Sequence, residues 1–130
     1  VIEKDSVVMF EGTRFRGYVY INPSQIKVIR SGISQEGMSV DNIYYDNIIH
    51  ICVYKGKQRL FSKDISKPMF SSVIPENFLK VSILEDMDFM GVNEDGYKYR
   101  ATVGDPEATA CYYVDLLVDN DGNIDYKIKQ

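Results

Sequence analysis

A chain of 130 residues, 45% hydrophobic and 26% charged, has the make-up of one ordinary globular domain, which excludes disorder and fibrous repeats. A net charge of -4 and a sequence pI near 4.9 argue against nucleic acid, which requires a clustered basic face, and no run of 18 apolar residues is present to cross a membrane as a helix. The charge is uneven: residues 1–70 hold 10 basic and 7 acidic side chains and residues 71–130 hold 5 and 12, leaving the halves at +3 and -7.

If strands from the two halves interleave, these charges mix; if the halves segregate, the molecule is dipolar and suited to head-to-tail contacts. Apolar positions recur mainly with period two in stretches rich in Val, Ile, Tyr, Phe and Thr, the signature of strands. From Thr13 to Ile21, Phe15, Val19 and Ile21 point one way and Arg14, Arg16, Tyr18 and Tyr20 the other, giving a half-buried strand that Asn22-Pro23-Ser24 is expected to end. Gln25 to Arg30 reads as a second strand. Ser31 to Asn42, with Gly32, Gly37 and no periodicity, reads as a long loop. Ile43 to Tyr54 is strongly apolar, and Lys55-Gly56-Lys57 turns it into Gln58 to Ser62 as a hairpin.

Pro75, Glu76 and Asn77 lead into Phe78, Leu79, Val81, Ile83 and Leu84 at helical spacing, with proline at a permitted first-turn position, which predicts one short helix at about 75–83. After the turn Asn93-Glu94-Asp95-Gly96, Tyr97 to Val103 alternates until Gly104-Asp105-Pro106 breaks it. Thr109 to Val118 sets Ala110, Tyr112, Val114, Leu116 and Val118 on one face. Ile124, Tyr126 and Ile128 repeat the pattern beyond Asp119-Asn120-Asp121-Gly122-Asn123, which makes a terminal hairpin. The expected fold is a mainly β domain over residues 1–130, an antiparallel sandwich or partly open barrel of about seven or eight strands with one helix packed on it.

No motif for a cofactor or a metal is present, and no catalytic residue is assigned. Asp119, Asp121, Asn123 and Asp125 crowd oxygens around Gly122. An EF-hand register would place Leu117 and Ile128 where the first carboxylate and the bidentate Glu belong, so a plain turn is the better reading. Glu85, Asp86 and Asp88 are the one cluster that could serve a hydrolase acting on a glycan or peptide, provided two of them straddle a cleft and burial raises one pKa. His50, the only histidine, sits between Ile49 and Ile51 and reads as a strand residue on the less buried face.

Cys52 and Cys111 both fall opposite the apolar stripe of their strands. A bridge between them in an oxidising compartment would close a loop of about sixty residues and add about 3–4 kcal/mol, against the alternative of two free thiols packed as small hydrophobes. Ten tyrosines and no tryptophan are unusual, and Tyr18 and Tyr20 share a face with Arg14 and Arg16, the residue types that binding surfaces enrich. The bland alternative is that tyrosine suits half-buried strands and these rings pack under a loop or a second sheet. The expected partner of the Tyr-Arg face is a protein, a peptide or a glycan.

Ile74-Pro75-Glu76-Asn77-Phe78-Leu79-Lys80, Ser82-Ile83-Leu84-Glu85-Asp86-Met87 and Tyr99-Arg100-Ala101-Thr102-Val103-Gly104-Asp105-Pro106 resemble small exported lipoproteins of gut Bacteroidales catalogued as a domain of unknown function. With the terminal hairpin, the likeness covers about the last ninety residues and fades upstream to a general β pattern. It implies a cell-envelope domain held to a membrane by a lipidated cysteine upstream of Val1, in keeping with a chain that opens on Val1 rather than Met. It assigns no catalytic or binding residue, so a non-enzymatic binding or structural module leads and the hydrolase is the alternative.

Overall fold

The computed structural model describes all residues, 1–130, as eight strands in two four-stranded antiparallel sheets with no closed barrel. The first sheet holds β1 (Ile2–Phe10), β2 (Thr13–Ile33), β3 (Ser39–Lys55) and β4 (Gln58–Ile65) in that spatial order. The second holds β5 (Ile83–Asn93), β6 (Gly96–Gly104), β7 (Cys111–Val118) and β8 (Ile124–Ile128), again in chain order. Each sheet is therefore a meander drawn from one half of the chain. The charges are segregated, with a basic first sheet facing an acidic second one.

A single cluster of 19 buried residues lies between the sheets. Phe15, Val19, Ile21, Ile49, Ile51, Val53 and Ile65 supply one side, and Leu84, Met87, Tyr97, Tyr99, Ala101, Val103, Val114, Leu116 and Val118 the other. These are alternate positions of the strands, as the period-two pattern requires, except in β5, where a bulge between Leu84 and Asp86 sets Leu84 and Met87 three apart. At Gly17 the layers approach so closely that a Cβ would fall 2.3 Å from the Phe89 ring. Tyr99, fully buried, donates its hydroxyl to the Cys52 carbonyl oxygen at 3.0 Å, which satisfies a polar tip in an apolar layer.

The charge difference is used where the layers meet. Lys4 of β1 turns inward and places its ammonium 2.6 Å from Asp86 and 2.9 Å from Asp88 of β5. Arg30 of β2 pairs with Asp105, and Asn42 and Tyr44 of β3 donate to Glu107 at 2.8 and 3.0 Å. Asp46, only 2% exposed, accepts from the Leu84 backbone N–H at 2.8 Å and faces the Lys67 ammonium at 3.2 Å.

The structure corrects three expectations. Asn22-Pro23-Ser24 does not end a strand: β2 runs through it to Ile33 with a bulge between Pro23 and Lys27, and the Ser24 hydroxyl stabilises the bulge by accepting from Ile26 N–H and donating to the Asp46 carbonyl. Most of Ser31 to Asn42 is likewise ladder rather than loop, with Ile33 opposite Ser39 and only 34–38 left as the turn. The result is a two-stranded ribbon beyond the four-stranded sheet. One face of it rests on the 105–107 loop through Arg30, Asn42 and Tyr44; the other leaves Ile29, Ile33, Ile43 and Tyr45 exposed.

The helix expected at about 75–83 is a single turn, α1 (Glu76–Leu79), preceded by a 3-10 turn at Lys67–Phe70. It stops there because the Ser82 hydroxyl bonds back to the Leu79 carbonyl at 3.0 Å and Ile83 already belongs to β5. Phe70, Ile74 and Leu79 from this segment close one margin of the core.

Candidate functional site

The outer face of the first sheet can be assembled from its registers. Arg14, Arg16, Tyr18 and Tyr20 lie in a row along β2, opposite to the buried Phe15, Val19 and Ile21. On β3, Tyr54 stands opposite Arg16, Cys52 opposite Tyr18 and His50 opposite Tyr20. On β4, Arg59, Ser62 and Asp64 continue the same rows, and on β1 Val7, Asp5 and Glu3 flank them. Tyr18, Tyr20, Tyr54, His50 and Cys52 thus share one surface, with arginines at one end and carboxylates at the other.

No second sheet covers Tyr18 and Tyr20; they are half-buried against their own neighbours. Their rings are parallel at 5.9 Å, Tyr54 meets Tyr18 edge-on at 5.6 Å, and His50 tilts against Tyr20 at 6.0 Å. Arg14, Arg16, Tyr18, Tyr54 and Gly56 line a cleft of about 420 Å³ at the arginine end. Arg16 reaches Asp5 at 3.2 Å, whereas Arg14 and Arg59 pair with no carboxylate. Burial pushes the Cys52 thiol up against the opposing pull of Arg59, and pushes the Tyr20 phenol up with help from Cys52.

Of the remaining tyrosines, Tyr97 and Tyr99 are core residues, and Tyr112 and Tyr126 pack against Phe78 and Phe70 at 5.0 and 5.4 Å. The high tyrosine content therefore serves both the core and the outer face.

His50 also anchors a network that its sequence context does not suggest. Asp64 lies 2.7 Å from Nδ1 and the Ser62 hydroxyl 2.8 Å from Nε2, the connectivity of a nucleophile, a base and an orienting acid. The register sets it, because 50 opposite 64 and 52 opposite 62 bring these side chains to one surface. Acyl transfer further needs a site that holds a carbonyl beside anion-stabilising donors. None of the 4 clefts is lined by Ser62, His50 or Asp64, and Ser62 lies mid-ladder rather than on a sharp elbow. The trio works here as a cross-strand polar network that fixes the imidazole beside Tyr20.

The acidic cluster separates. Asp86 and Asp88 share the Lys4 ammonium, while Glu85 lies on the other side over Gly104, where burial first, then Asp86 and Asp105, raises its pKa. The adjoining cleft of about 180 Å³ holds Asp88 alone of the three. Two carboxylates straddling a substrate, as glycoside hydrolysis requires, do not form. At the terminal hairpin, Asp119 directs Oδ1 to the backbone N–H groups of Asp121 and Asn123, each at 2.9 Å, and those bonds, the Asn123 one foremost, hold its carboxyl below the usual range.

The candidate bridge is corrected as well. Cys52 and Cys111 are free thiols on the outer faces of different sheets, so the core lies between them. Their strand parity, which sets both away from the apolar stripe, puts them on opposite sides of the molecule once the strands belong to two layers.

No curated protein matches this sequence. A family profile does, over nearly the whole chain. By that match over residues 1–126, the chain belongs to the family described as domain of unknown function DUF4738.

Proposed function

We propose that this is a non-enzymatic binding module of the cell envelope, exported and lipid-anchored in its precursor, that captures a ligand on the outer face of the first sheet. The observation that carries the reading is the cleft where Arg14, Arg16, Tyr18 and Tyr54 converge over Gly56, beside the parallel Tyr18 and Tyr20 rings. Amphipathic rings and guanidinium groups give large contact areas with polar tips at small conformational cost, which is why binding sites favour them. The compartment rests on the likeness of the 74–106 segment to exported lipoproteins. Full-length precursor fed a palmitate analogue is expected to carry the label, and an unlabelled precursor removes the anchor from the proposal.

The binding face is tested with Tyr18→Ser and Tyr20→Ser together. Both rings are half-buried rather than core, so the double variant should stay folded. A ligand at about 100 times its Kd raises stability by about 2.7 kcal/mol, a shift of several degrees for a chain of this size. In a thermal-shift screen of glycans, cell-wall fragments and peptides, the ligand that shifts the parent protein should leave the double variant unmoved. An equal shift in both proteins removes this surface from consideration. A screen in which nothing shifts either protein turns the reading to a protein partner, for which the exposed Ile29, Ile33, Ile43 and Tyr45 of the ribbon are the apolar face at hand.

A further inference from the structure

The geometry points to an acidic saccharide as the ligand of this cleft, a sugar ring laid against Tyr18 and Tyr54 with its carboxylate or sulfate held by Arg14, Arg16 and Arg59. The inference rests on the binding reading above and adds the ligand's class.

Charge sets the orientation. Along β2 the outer row runs Tyr20, Tyr18, Arg16, Arg14; Arg14 and Arg16 line the cleft, and Arg59 stands beside it, across the ladder from Tyr54, so the arginines gather at one end of the face. Glu3 and Asp64 occupy the other end, and Asp5, opposite Tyr18, lies between the two ends and is held by Arg16. An anionic group is therefore drawn to the arginine end and repelled from the far one. Arg14 and Arg59 have no carboxylate partner, and Arg16, its side chain 44% exposed, holds Asp5 only at 3.2 Å, so all three retain donors for a bidentate acceptor.

Shape separates a sugar from a peptide. β2 and β3 are interior strands bonded on both sides, so the part of the cleft they build offers side chains; an open edge of the sheet lies on β4, none of whose residues lines the cleft. An extended peptide gains most from an open strand edge, where its main chain is satisfied; a sheet face gives it nothing comparable. A sugar ring needs an aromatic surface for its C–H groups and polar fingers for its substituents, and Tyr18 and Tyr54, at 80° to each other, supply both a face and an edge. Gly56 keeps the floor open, since a Cβ there would meet nothing within 4 Å. A cleft of about 420 Å³ suits a short stretch of saccharide.

The test is titration calorimetry on the whole chain. The probes are an oligogalacturonate, a chondroitin sulfate oligosaccharide, a neutral galacto-oligosaccharide, inorganic sulfate and an oligoglutamate peptide. At least one acidic saccharide is expected to bind at least about tenfold more tightly than the neutral one, with affinity falling as salt rises. Which of the two binds tells carboxylate from sulfate recognition. Arg14→Ala and Arg59→Ala, both at exposed positions, should each weaken binding about tenfold.

If the neutral sugar binds as well as the acidic ones, or the arginine variants bind unchanged, the acidic class is wrong; loss of binding in Tyr18→Ser then shows that the face itself still captures ligand. Sulfate or oligoglutamate binding as tightly as the saccharides, or no acidic saccharide binding at all, overturns the inference as well. Should Tyr18→Ser also bind a sugar unchanged, the binding face falls with it.

Discussion

Asp46→Ala is expected to cost about 3–5 kcal/mol of folding stability, the range for removing one partner of a buried ion pair. Asp46 stands in β3 at the bulge where the ribbon leaves the sheet, 2% exposed, and its carboxylate serves three groups. One oxygen accepts from the backbone N–H groups of Leu84, at the start of β5, and of Asn47; the other faces Lys67, whose ammonium also donates to the Ser82 carbonyl. Alanine leaves a cation and two amide donors without their acceptor at the point where the chain crosses between sheets. Desolvation of unpaired groups, rather than the lost attraction alone, sets the size of the effect.

Urea unfolding should show the loss as a lower midpoint with an unchanged slope. Asp46→Asn keeps an oxygen for the Leu84 amide and should fall between parent and alanine. Adding Lys67→Met to Asp46→Asn removes the stranded charge and should recover part of the deficit, so the double-mutant cycle gives a coupling well above zero. Additive losses would mean that the pair does not act as a unit.

Several elements are readable because one face of each is buried and the other is not. Thr13 to Ile21 alternates cleanly, since Phe15, Val19 and Ile21 meet the second sheet while Arg14, Arg16, Tyr18 and Tyr20 meet nothing above them. The same holds for Val114, Leu116 and Val118 in the terminal hairpin. Local turn chemistry fixes both hairpins, with Gly56 and Gly122 at positive φ.

Readability ends where a tertiary partner replaces the local rule. In β1 it is Lys4 that faces the second sheet, because Asp86 and Asp88 meet it there, so the polarity pattern points the wrong way. In the ribbon, Arg30, Asn42 and Tyr44 face the 105–107 loop while Ile29 and Ile43 are exposed, an inversion that reads from sequence as a loop. Pro23 marks a bulge because Ser24 supplies the missing bonds.

For the site, the β2 half was legible and the rest was not. Arg14, Arg16 and Tyr18 share a face by parity alone. Tyr54, Gly56 and Arg59 join them only through two ladder registers and a bulge at Val53/Tyr54. The Ser62, His50 and Asp64 network depends on the same register, and an error of one residue would have sent all three to the core.

The second large effect is expected at a position with no chemistry. Gly96 begins β6 after the Asn93-Glu94-Asp95 turn, at φ +147, and a Cβ built there falls 2.1 Å from the Val118 carbonyl oxygen and 3.0 Å from its carbon. Both atoms belong to the backbone of β7, the strand paired with β6, so relief requires moving a central strand away from its neighbour. Strain at a glycine-only conformation and overpacking against a fixed ladder each cost about 1–3 kcal/mol, so Gly96→Ala should lose about 3–5 kcal/mol and lower Tm by about 10–20 °C. Gly91→Ala offers the control, because its φ of 119° also lies beyond the left-handed helical region but it meets nothing within 4 Å, and only the conformational part of the cost applies. Thermal unfolding of the two variants side by side separates contact from conformation. Equal losses would put the whole cost in the backbone angle and remove the close approach of β6 and β7 as its cause.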